Sequence, residues 1–566
     1  MKRSATTLGP RDRDRVGQGG LTTFARRGRN LLPPGQQRLR HRIRAAGLWA
    51  ATLVAGAALA SNLSGAQGGF RLLEATIDDA HAAFASGELT CRTLVQGYLD
   101  RIAAYDQTGP SLNAVQTINR DARARADALD AAYADGGLTG PLHCVPVLLK
   151  DQVETREMPT TYGSALFEGF MSRRDATIVV RMRSAGALIL AKTNMGEFAS
   201  RYVGSAFGII RNAYDPARNP SGSSGGTGAG VAANFGLVGI GEDTGGSIRG
   251  PAAVHSLVGL RPTVPLVSRF GMMPANPSSD TLGPMTRTVR DAALVLDAIA
   301  GYDPNDPVTA YAAGRVPDSY AAALDAADLR GARIGVIRDP MDPRTDPEAE
   351  GYRQVRAVID RALEDLRSHG AVVVDPVPVT ELELAQQTYV ANNFETEAAT
   401  NAYLAEHRGA PVRTLRAILL SGVVTPWRAA GLLDVVGRST EDAAYLPILQ
   451  ARERLRQNVL TAMADHELDA LAYATFDHPP ALIAPDVLRN PRTADAYALG
   501  NNRYLSPVIG FPALTVPAGL TADGLPVGLE LLGRPFDEAA LLGLGYAYEQ
   551  ATGRREPPAT TPALAP

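Results

Sequence analysis

Lysine is nearly missing from this chain. Of its 56 basic residues only Lys2, Lys150 and Lys192 are lysine, and the rest are arginine. Cysteine is as scarce: Cys91 and Cys144 are too few for a disulfide framework, and two free thiols are expected rather than a bridge between them. Cys144 reads as a small buried hydrophobe. The eight histidines form no HExxH or comparable pair, and no Cys/His cluster has zinc spacing, so a metal centre has no ligands to build from. A net charge of −3 gives no general attraction to nucleic acid or to an acidic membrane.

The missing lysines make the remaining ones informative. Arginine fills even the solvated helix faces, as at Arg123, Arg125 and Arg367. A lysine that survives such a bias is expected to do what arginine cannot. Arginine stays protonated at any relevant pH, whereas a desolvated lysine can become neutral and act as a base. Lys2 lies in a tail, so Lys150 and Lys192 are the residues to explain.

The chain has 566 residues, 45% of them hydrophobic and 20% charged, which suits a soluble protein with a large core. Residues 1–44 are rich in Arg, Gly and Pro and read as a disordered leader. Residues 45–66 follow a basic flank, open with the uncharged apolar run 45–60, and read as a signal peptide or membrane anchor segment. The expectation is export to the periplasm or beyond, or membrane association through residues 45–60. Without a true signal there, the protein would stay cytoplasmic.

From residue 71 to residue 557 the pattern is that of one large domain, and residues 558–566 are a Pro/Ala-rich tail. Helical spacing of apolar residues covers most of 72–105, 121–133, 177–185, 348–368, much of 380–460, and 537–552. Buried strands are expected near 144–149, 187–192, 331–337 and 372–374, and a strand–turn–strand over 516–532. This alternation predicts an α/β fold with a central mixed, mostly parallel sheet covered on both faces by helices.

Two glycine-rich loops stand out. The first is Asn219-Pro-Ser-Gly-Ser-Ser-Gly-Gly-Thr-Gly-Ala-Gly230, and the second is Gly241-Glu-Asp-Thr-Gly-Gly-Ser-Ile-Arg-Gly-Pro-Ala252. Glycine lets backbone amides approach and face a ligand, which serves either phosphate binding or an oxyanion hole. Neither loop contains the lysine of a P-loop, and the first lacks GxGxxG spacing, so nucleotide binding is excluded. Gly222-Ser-Ser-Gly-Gly226 satisfies GxSxG with Ser224 at its centre. A turn-forming stretch precedes it where a nucleophile elbow needs a strand, and nothing nominates His255 over His369 or His478 as partner.

A serine nucleophile with a lysine base fits better. Lys150 ends an apolar strand, where burial favours the neutral amine. The amides of Thr244, Gly245, Gly246 and Ser247 can converge on one oxyanion, and Ser247 is placed to attack. A serine of the first loop can relay a proton between Ser247 and Lys150.

On these residues the chain resembles the amidase signature family. The resemblance rests on Lys150-Asp151, Gly222-Ser-Ser-Gly-Gly226 and Asp243-Thr-Gly-Gly-Ser-Ile-Arg249. It is extended by Lys192-Thr-Asn-Met-Gly-Glu-Phe198, Gly259-Leu-Arg-Pro-Thr263 and Gly510-Phe-Pro-Ala-Leu-Thr-Val-Pro-Ala-Gly519, and covers about residues 72–555. It implies Lys150 as base, Ser223 as the bridging serine after a cis peptide bond, and Ser247 as nucleophile. The 24-residue interval between the serines selects Ser223 over Ser224. Ser224, Thr227, Asp243 and Arg249 are expected to support the loops, with Lys192 structural. Cys144 departs from the glycine common in this segment of the family.

The resemblance implies hydrolysis of a small-molecule or peptide amide through an acyl-enzyme on Ser247, with no cofactor. Two other functions stand beside it: the glutamine-hydrolysing subunit of a tRNA-dependent amidotransferase, and a catalytically silent binding protein on the same fold. Specificity is expected from residues 199–213, 270–281 and 380–460. A monomer and a homodimer are both left open.

Overall fold

The computed structural model describes residues 69–493 and 496–564. The segments expected as leader and signal or anchor, 1–44 and 45–66, lie outside the described residues. Among the described residues no helix is long and apolar enough to cross a membrane.

Local sequence sets the first helices. Thr76 caps Ile77–Ser86 by accepting from the Asp79 amide at 3.1 Å, while Asp79 Oδ2 accepts from the Thr76 amide at 3.0 Å. Thr90 and Thr93 repeat the arrangement at the start of Cys91–Tyr105. Such reciprocal caps satisfy amides that the helix itself leaves without partners. In the later helix Glu350–Ser368, Val355, Val358, Ile359, Ala362, Leu363 and Leu366 are buried, which is the spacing of one helical face.

Among the described residues thirteen strands follow in chain order: β1 (Val115–Ile118), β2 (Pro146–Lys150), β3 (Leu188–Thr193), β4 (Val203–Gly204), β5 (Gly208–Ile209), β6 (Val238–Asp243), β7 (Val258–Arg261), β8 (Thr281–Thr286), β9 (Arg333–Val336), β10 (Val372–Val374), β11 (Ala470–Ala474), β12 (Ala513–Leu520) and β13 (Pro526–Leu532). Eleven of them form one sheet in the order β1-β3-β2-β6-β8-β7-β12-β13-β11-β9-β10, while β4 and β5 pair separately. The sheet is mixed. β3, β2 and β6 run parallel on one side, as do β11, β9 and β10 on the other, with antiparallel pairs between. Because β3, β2 and β6 are parallel, their carboxyl ends lie together. These ends carry Lys192, Lys150 and Asp243, and sites in open α/β sheets form at such ends.

One sequence expectation is corrected. Cys91 and Cys144 are not free thiols: they form a disulfide with Cα atoms 5.7 Å apart. The cause is spatial, since the start of helix Cys91–Tyr105 is packed beside the turn leading into β2. Closing a loop of 53 residues limits the unfolded chain by about 4 kcal/mol in the loop-entropy account. The Pro/Ala-rich tail packs on the domain through residues 561 and 562. The Arg101 guanidinium donates to the carbonyls of Thr561 at 2.7 Å and Pro562 at 2.8 Å, and Thr561 is buried.

Candidate active site

Lys150 closes β2, a strand buried at every position, and its side chain is fully removed from solvent. Its Nζ donates to Ser223 Oγ at 2.8 Å, Glu242 Oε2 at 2.8 Å and the Glu242 carbonyl at 3.1 Å. Burial lowers the affinity of Lys150 for its proton, and the Glu242 carboxylate partly offsets this. Lys192, on neighbouring β3, donates to the Pro159 carbonyl at 3.2 Å and Thr160 Oγ1 at 3.1 Å, and lies 3.7 Å from Asp151. Burial pulls it down to about 8. It touches neither Ser223 nor Ser247 and holds the 159–160 segment.

The first glycine-rich loop is shorter than its composition suggests, because Gly225–Ala232 is helical. A Cβ on Gly226 would lie 2.3 Å from the Asn194 carbonyl oxygen, and one on Gly228 would lie 3.0 Å from the His255 ring. These glycines therefore serve close packing of the helix, not contact with a ligand. Ahead of the helix, the Gly222–Ser223 peptide bond is cis. Ser223 faces Lys150. Ser224 turns the other way: its hydroxyl donates to the Glu242 carbonyl at 3.1 Å and accepts from the Glu242 amide at 3.3 Å. Ser224 thus sews the first loop to β6 and is no elbow nucleophile. Thr227 does not join the serines, because its hydroxyl bonds Thr193 Oγ1 at 2.7 Å within the packed strands.

The second loop turns around Asp243. Its carboxylate accepts from the amides of Gly246 at 2.7 Å and Ile248 at 3.1 Å and pairs with Arg249 at 3.2 Å and Arg261 at 3.3 Å. Burial alone would raise the Asp243 carboxyl, but Arg249 and Arg261 outweigh it and hold it well below the usual carboxylate range. Arg249 also pairs with Glu530 and donates to the Arg503 carbonyl at 2.8 Å. The Gly246 amide is spent on Asp243, so the expected four-amide oxyanion hole loses one member. The loop itself does not use the amides of Thr244, Gly245 and Ser247. Gly246 has φ +99°, and a Cβ there would sit 2.4 Å from the Arg503 side chain, so this turn requires glycine.

Ser247 precedes the short helix Arg249–Ala253 and is 8% exposed, against 1% for Ser223 and none for Lys150. Its hydroxyl bonds no other described residue. Exposure thus rises from Lys150, which is sealed, through Ser223, which lies against it, to Ser247.

Thr244 lines a cleft with Ser200, Ala275, Asn276, Tyr389, Asn392, Asn393 and Arg428. An adjoining narrow, mainly apolar recess is walled by Tyr162, Met195, Phe198, Met273, Leu415 and Leu432. The walls come in part from the three segments expected to set specificity, while Tyr162, Met195, Phe198 and Thr244 lie outside them. The ring of Tyr389 covers Gly245 and stacks on Tyr504 with centroids 4.2 Å apart.

His255, His369 and His478 offer no competing triad. His255 accepts the Ala213 amide on Nε2 at 3.2 Å and contacts the Pro251 carbonyl through Nδ1 at 2.7 Å, so both ring nitrogens are committed. His369 Nδ1 lies against the Asp365 carbonyl at the surface, and the partly buried His478 ring packs on Tyr352. Among the described residues no group of three or more His, Cys, Asp or Glu side chains is placed to hold a metal ion.

Two residues escaped the sequence reading. Glu242 contacts Lys150 directly, and Asp280 reaches the same cluster through Thr244 Oγ1 at 2.7 Å. For Glu242 the sequence does carry a signal, an acidic pair closing an otherwise apolar strand. Asp280 has none.

The sequence pattern of the Amidase family matches residues 93–542, a span that holds Lys150, both serines and the whole of the second loop. The chain belongs to the Amidase family, hydrolases that act on C–N bonds. Among Amidase-family relatives, it is 38% identical over 492 residues to a glutamyl-tRNA(Gln) amidotransferase subunit from an Exiguobacterium species, covering 84% of this chain and 96% of that one. Among solved structures it resembles native peptide amidase from Stenotrophomonas maltophilia, with 38% identity, TM-score 0.77, and coverage of 86% of this chain and 99% of that one. The corresponding glutamyl-tRNA(Gln) amidotransferase subunit from Thermotoga maritima superposes with TM-score 0.67 at 25% identity, covering 87% of this chain and 99% of that one.

Proposed function

We propose that this chain is an amidase that hydrolyses a carboxylic amide through an acyl-enzyme on Ser247. The observation that carries the reading is the 2.8 Å contact between sealed Lys150 and Ser223, beside a Ser247 that alone of the three reaches open space. Neutral Lys150 takes the Ser223 proton, Ser223 takes the Ser247 proton, and Ser247 Oγ attacks the carbonyl carbon. The amides of Thr244, Gly245 and Ser247 receive the oxyanion, and one such donor is typically worth about 3 kcal/mol in the transition state. Ser223 then protonates the departing amine or ammonia, the C–N bond breaks, and water releases the acid by the reverse relay.

The apolar recess and the likeness to a peptide amidase support a substrate whose acyl portion carries an apolar side chain, such as a C-terminal peptide amide. The curated relatives favour a second reading, a glutamine-hydrolysing subunit that works with partner chains. Ammonia release from C-terminally amidated dipeptides and from glutamine, by the chain alone, separates the two. Turnover of the dipeptide amides supports the first. Inactivity toward both, with glutaminase activity appearing only on addition of amidotransferase partner subunits, supports the second.

Export belongs to the same reading. It is supported by the Arg-flanked apolar run at 45–60 and by the Cys91–Cys144 disulfide, a bond that persists in oxidising compartments. Fractionation of cells expressing the full chain tests it, and retention of reduced, uncleaved protein in the cytosol would overturn it.

A further inference from the structure

The catalytic lysine poses a proton problem. Its three contacts, Ser223 Oγ, the Glu242 carbonyl and Glu242 Oε2, match the three donors of an ammonium group. An ammonium cannot accept the Ser223 proton, so one proton must leave Nζ first. A carbonyl oxygen is no base, and Ser223 is the group to be deprotonated. Glu242 is the acceptor that remains.

Glu242 does not stand alone. The Thr244 hydroxyl lies 2.6 Å from Glu242 Oε1 and 2.7 Å from Asp280 Oδ1. A hydroxyl has one hydrogen to give, so it cannot donate to two carboxylates at once. One of the two carboxyls therefore carries a proton and donates it to Thr244. Glu242 is paired with Lys150, whereas Asp280 Oδ2 receives only the amides of Ala275 at 2.8 Å and Asn276 at 2.7 Å. The proton accordingly rests on Asp280. Burial, and next the Glu242 charge, push the Asp280 carboxyl up to about 8. The other charged or titratable groups around the cluster are Lys150, Asp243, Arg261, Arg269 and Tyr389. Asp280 also forms part of the wall of a second open cavity, shared with Arg174, Arg269, Phe270 and Tyr403 and separate from the cleft that Thr244 lines.

We propose that Glu242, Thr244 and Asp280 form a proton-exchange chain behind Lys150, through which the site loses one proton to the second cavity and frees the lysine to act as a base. It rests on the function proposed above. In the resting arrangement Asp280 is a neutral acid donating to Thr244, Thr244 donates to ionised Glu242, and Lys150 is an ammonium. When Asp280 gives its proton to water in the cavity, Thr244 turns its hydrogen to Asp280 and Glu242 loses a donor. One Nζ–H bond of Lys150 then breaks and one O–H bond forms on Glu242 Oε2, and the carboxyl turns about its last bond so that this hydrogen faces Thr244 Oγ1. Lys150 is now a neutral amine, the site has lost one proton, and its net charge has fallen by one. Substrate enters from one side and the activating proton leaves from another, so a bound acyl group does not block the exchange.

The test is the second-order rate of Ser247 labelling by a fluorophosphonate, measured against pH, with Ser247→Ala as the unlabelled control. In the unaltered chain the rate rises through about pH 8. Asp280→Asn mimics the neutral acid permanently and moves the acid limb to higher pH by about one unit, a tenfold loss on that limb. Glu242→Gln removes the charge that holds the ammonium and moves the limb to lower pH. The double variant behaves like Glu242→Gln alone, because Asp280 acts only through Glu242. An unmoved limb, both single variants shifting it the same way, or additive effects in the double variant overturns the proposal. If either substitution prevents folding, infrared spectroscopy of the unaltered protein decides: a carboxylic acid carbonyl band present at neutral pH should shift in frequency without losing intensity along the same pH curve as labelling, as the acid passes from Asp280 to Glu242. Absence of that band also overturns the proposal. Labelling at Ser247 with an immobile limb sinks the proton chain alone, whereas no labelling at Ser247 sinks the proposed function with it.

Discussion

Lys150 Nζ and Glu242 Oε2 lie 2.8 Å apart with both side chains fully buried, an ion pair set directly behind Ser223. Taking two charges out of water is costly, and removing one partner leaves the other unpaired. A site that tolerates this arrangement gains a lysine whose charge depends on a single neighbour.

Ser247→Ala should abolish both amide turnover and fluorophosphonate labelling while leaving the melting temperature unchanged, since Ser247 Oγ bonds no described residue. Lys150→Ala should lower kcat by about two to four orders of magnitude, the usual contribution of a positioned base. Lys150→Arg should fail to restore it, because a guanidinium does not give up its proton at usable pH. Recovery of near-normal kcat in the arginine variant would exclude lysine as the base.

Gly246→Ala should cost more activity than its size suggests. The residue has φ +99°, and the new methyl carbon would lie 2.4 Å from the Arg503 side chain. The turn that presents the Thr244, Gly245 and Ser247 amides must then move. A fall of about a hundredfold in kcat with little change in KM is expected, the scale of losing an oxyanion donor. Steady-state kinetics on any accepted amide reads this directly.

Reducing the Cys91–Cys144 bridge, or replacing both residues with Ala, should lower unfolding free energy by about 2–5 kcal/mol. Urea midpoints with and without reductant measure it. Labelling of Ser247 in the still-folded reduced protein should continue, because neither cysteine lies in the site.

Stability should also fall in acid through His255. Burial holds this ring down at about 4, below its ordinary 6.5. The unfolded chain therefore binds the extra proton first, and stability rises with pH across this interval. The contribution is complete above pH 6.5 and is lost as pH drops toward 4, by about 3 kcal/mol in all. The urea midpoint of the unaltered chain should approach that of His255→Gln as pH falls from 7 to 4.5. A constant gap between the two would contradict the assignment.

Much of the site was legible in the sequence because the chain's own bias marked it. Lys150 stood out as one of three lysines, and Ser247 by its run of small residues. The tertiary partners were not legible. Cys91 and Cys144 are 53 residues apart, and spacing alone does not show that a helix start meets the turn into β2. Strands β7, β8 and β11 escaped notice because both of their faces are buried, which removes the polar alternation that marks a half-exposed strand. Gly283 and Pro284 inside β8 disguise it further. The glycines of the first loop were over-read as ligand-facing when several pack a helix against backbone. Asp280 carries no local pattern, and its role exists only because β8 lies beside β6.

β6 ends in two carboxylates one residue apart, and a strand sends successive side chains to opposite faces. Glu242 therefore meets the lysine while Asp243 meets Arg249, Arg261 and the turn amides. The strand's parity thus divides the labour between them. Inserting or deleting one residue in β6 would exchange their positions: the carboxylate that shapes the turn would face Lys150, and the one paired with Lys150 would face two arginines. The interior of this strand can absorb conservative apolar changes, but its length cannot vary by one.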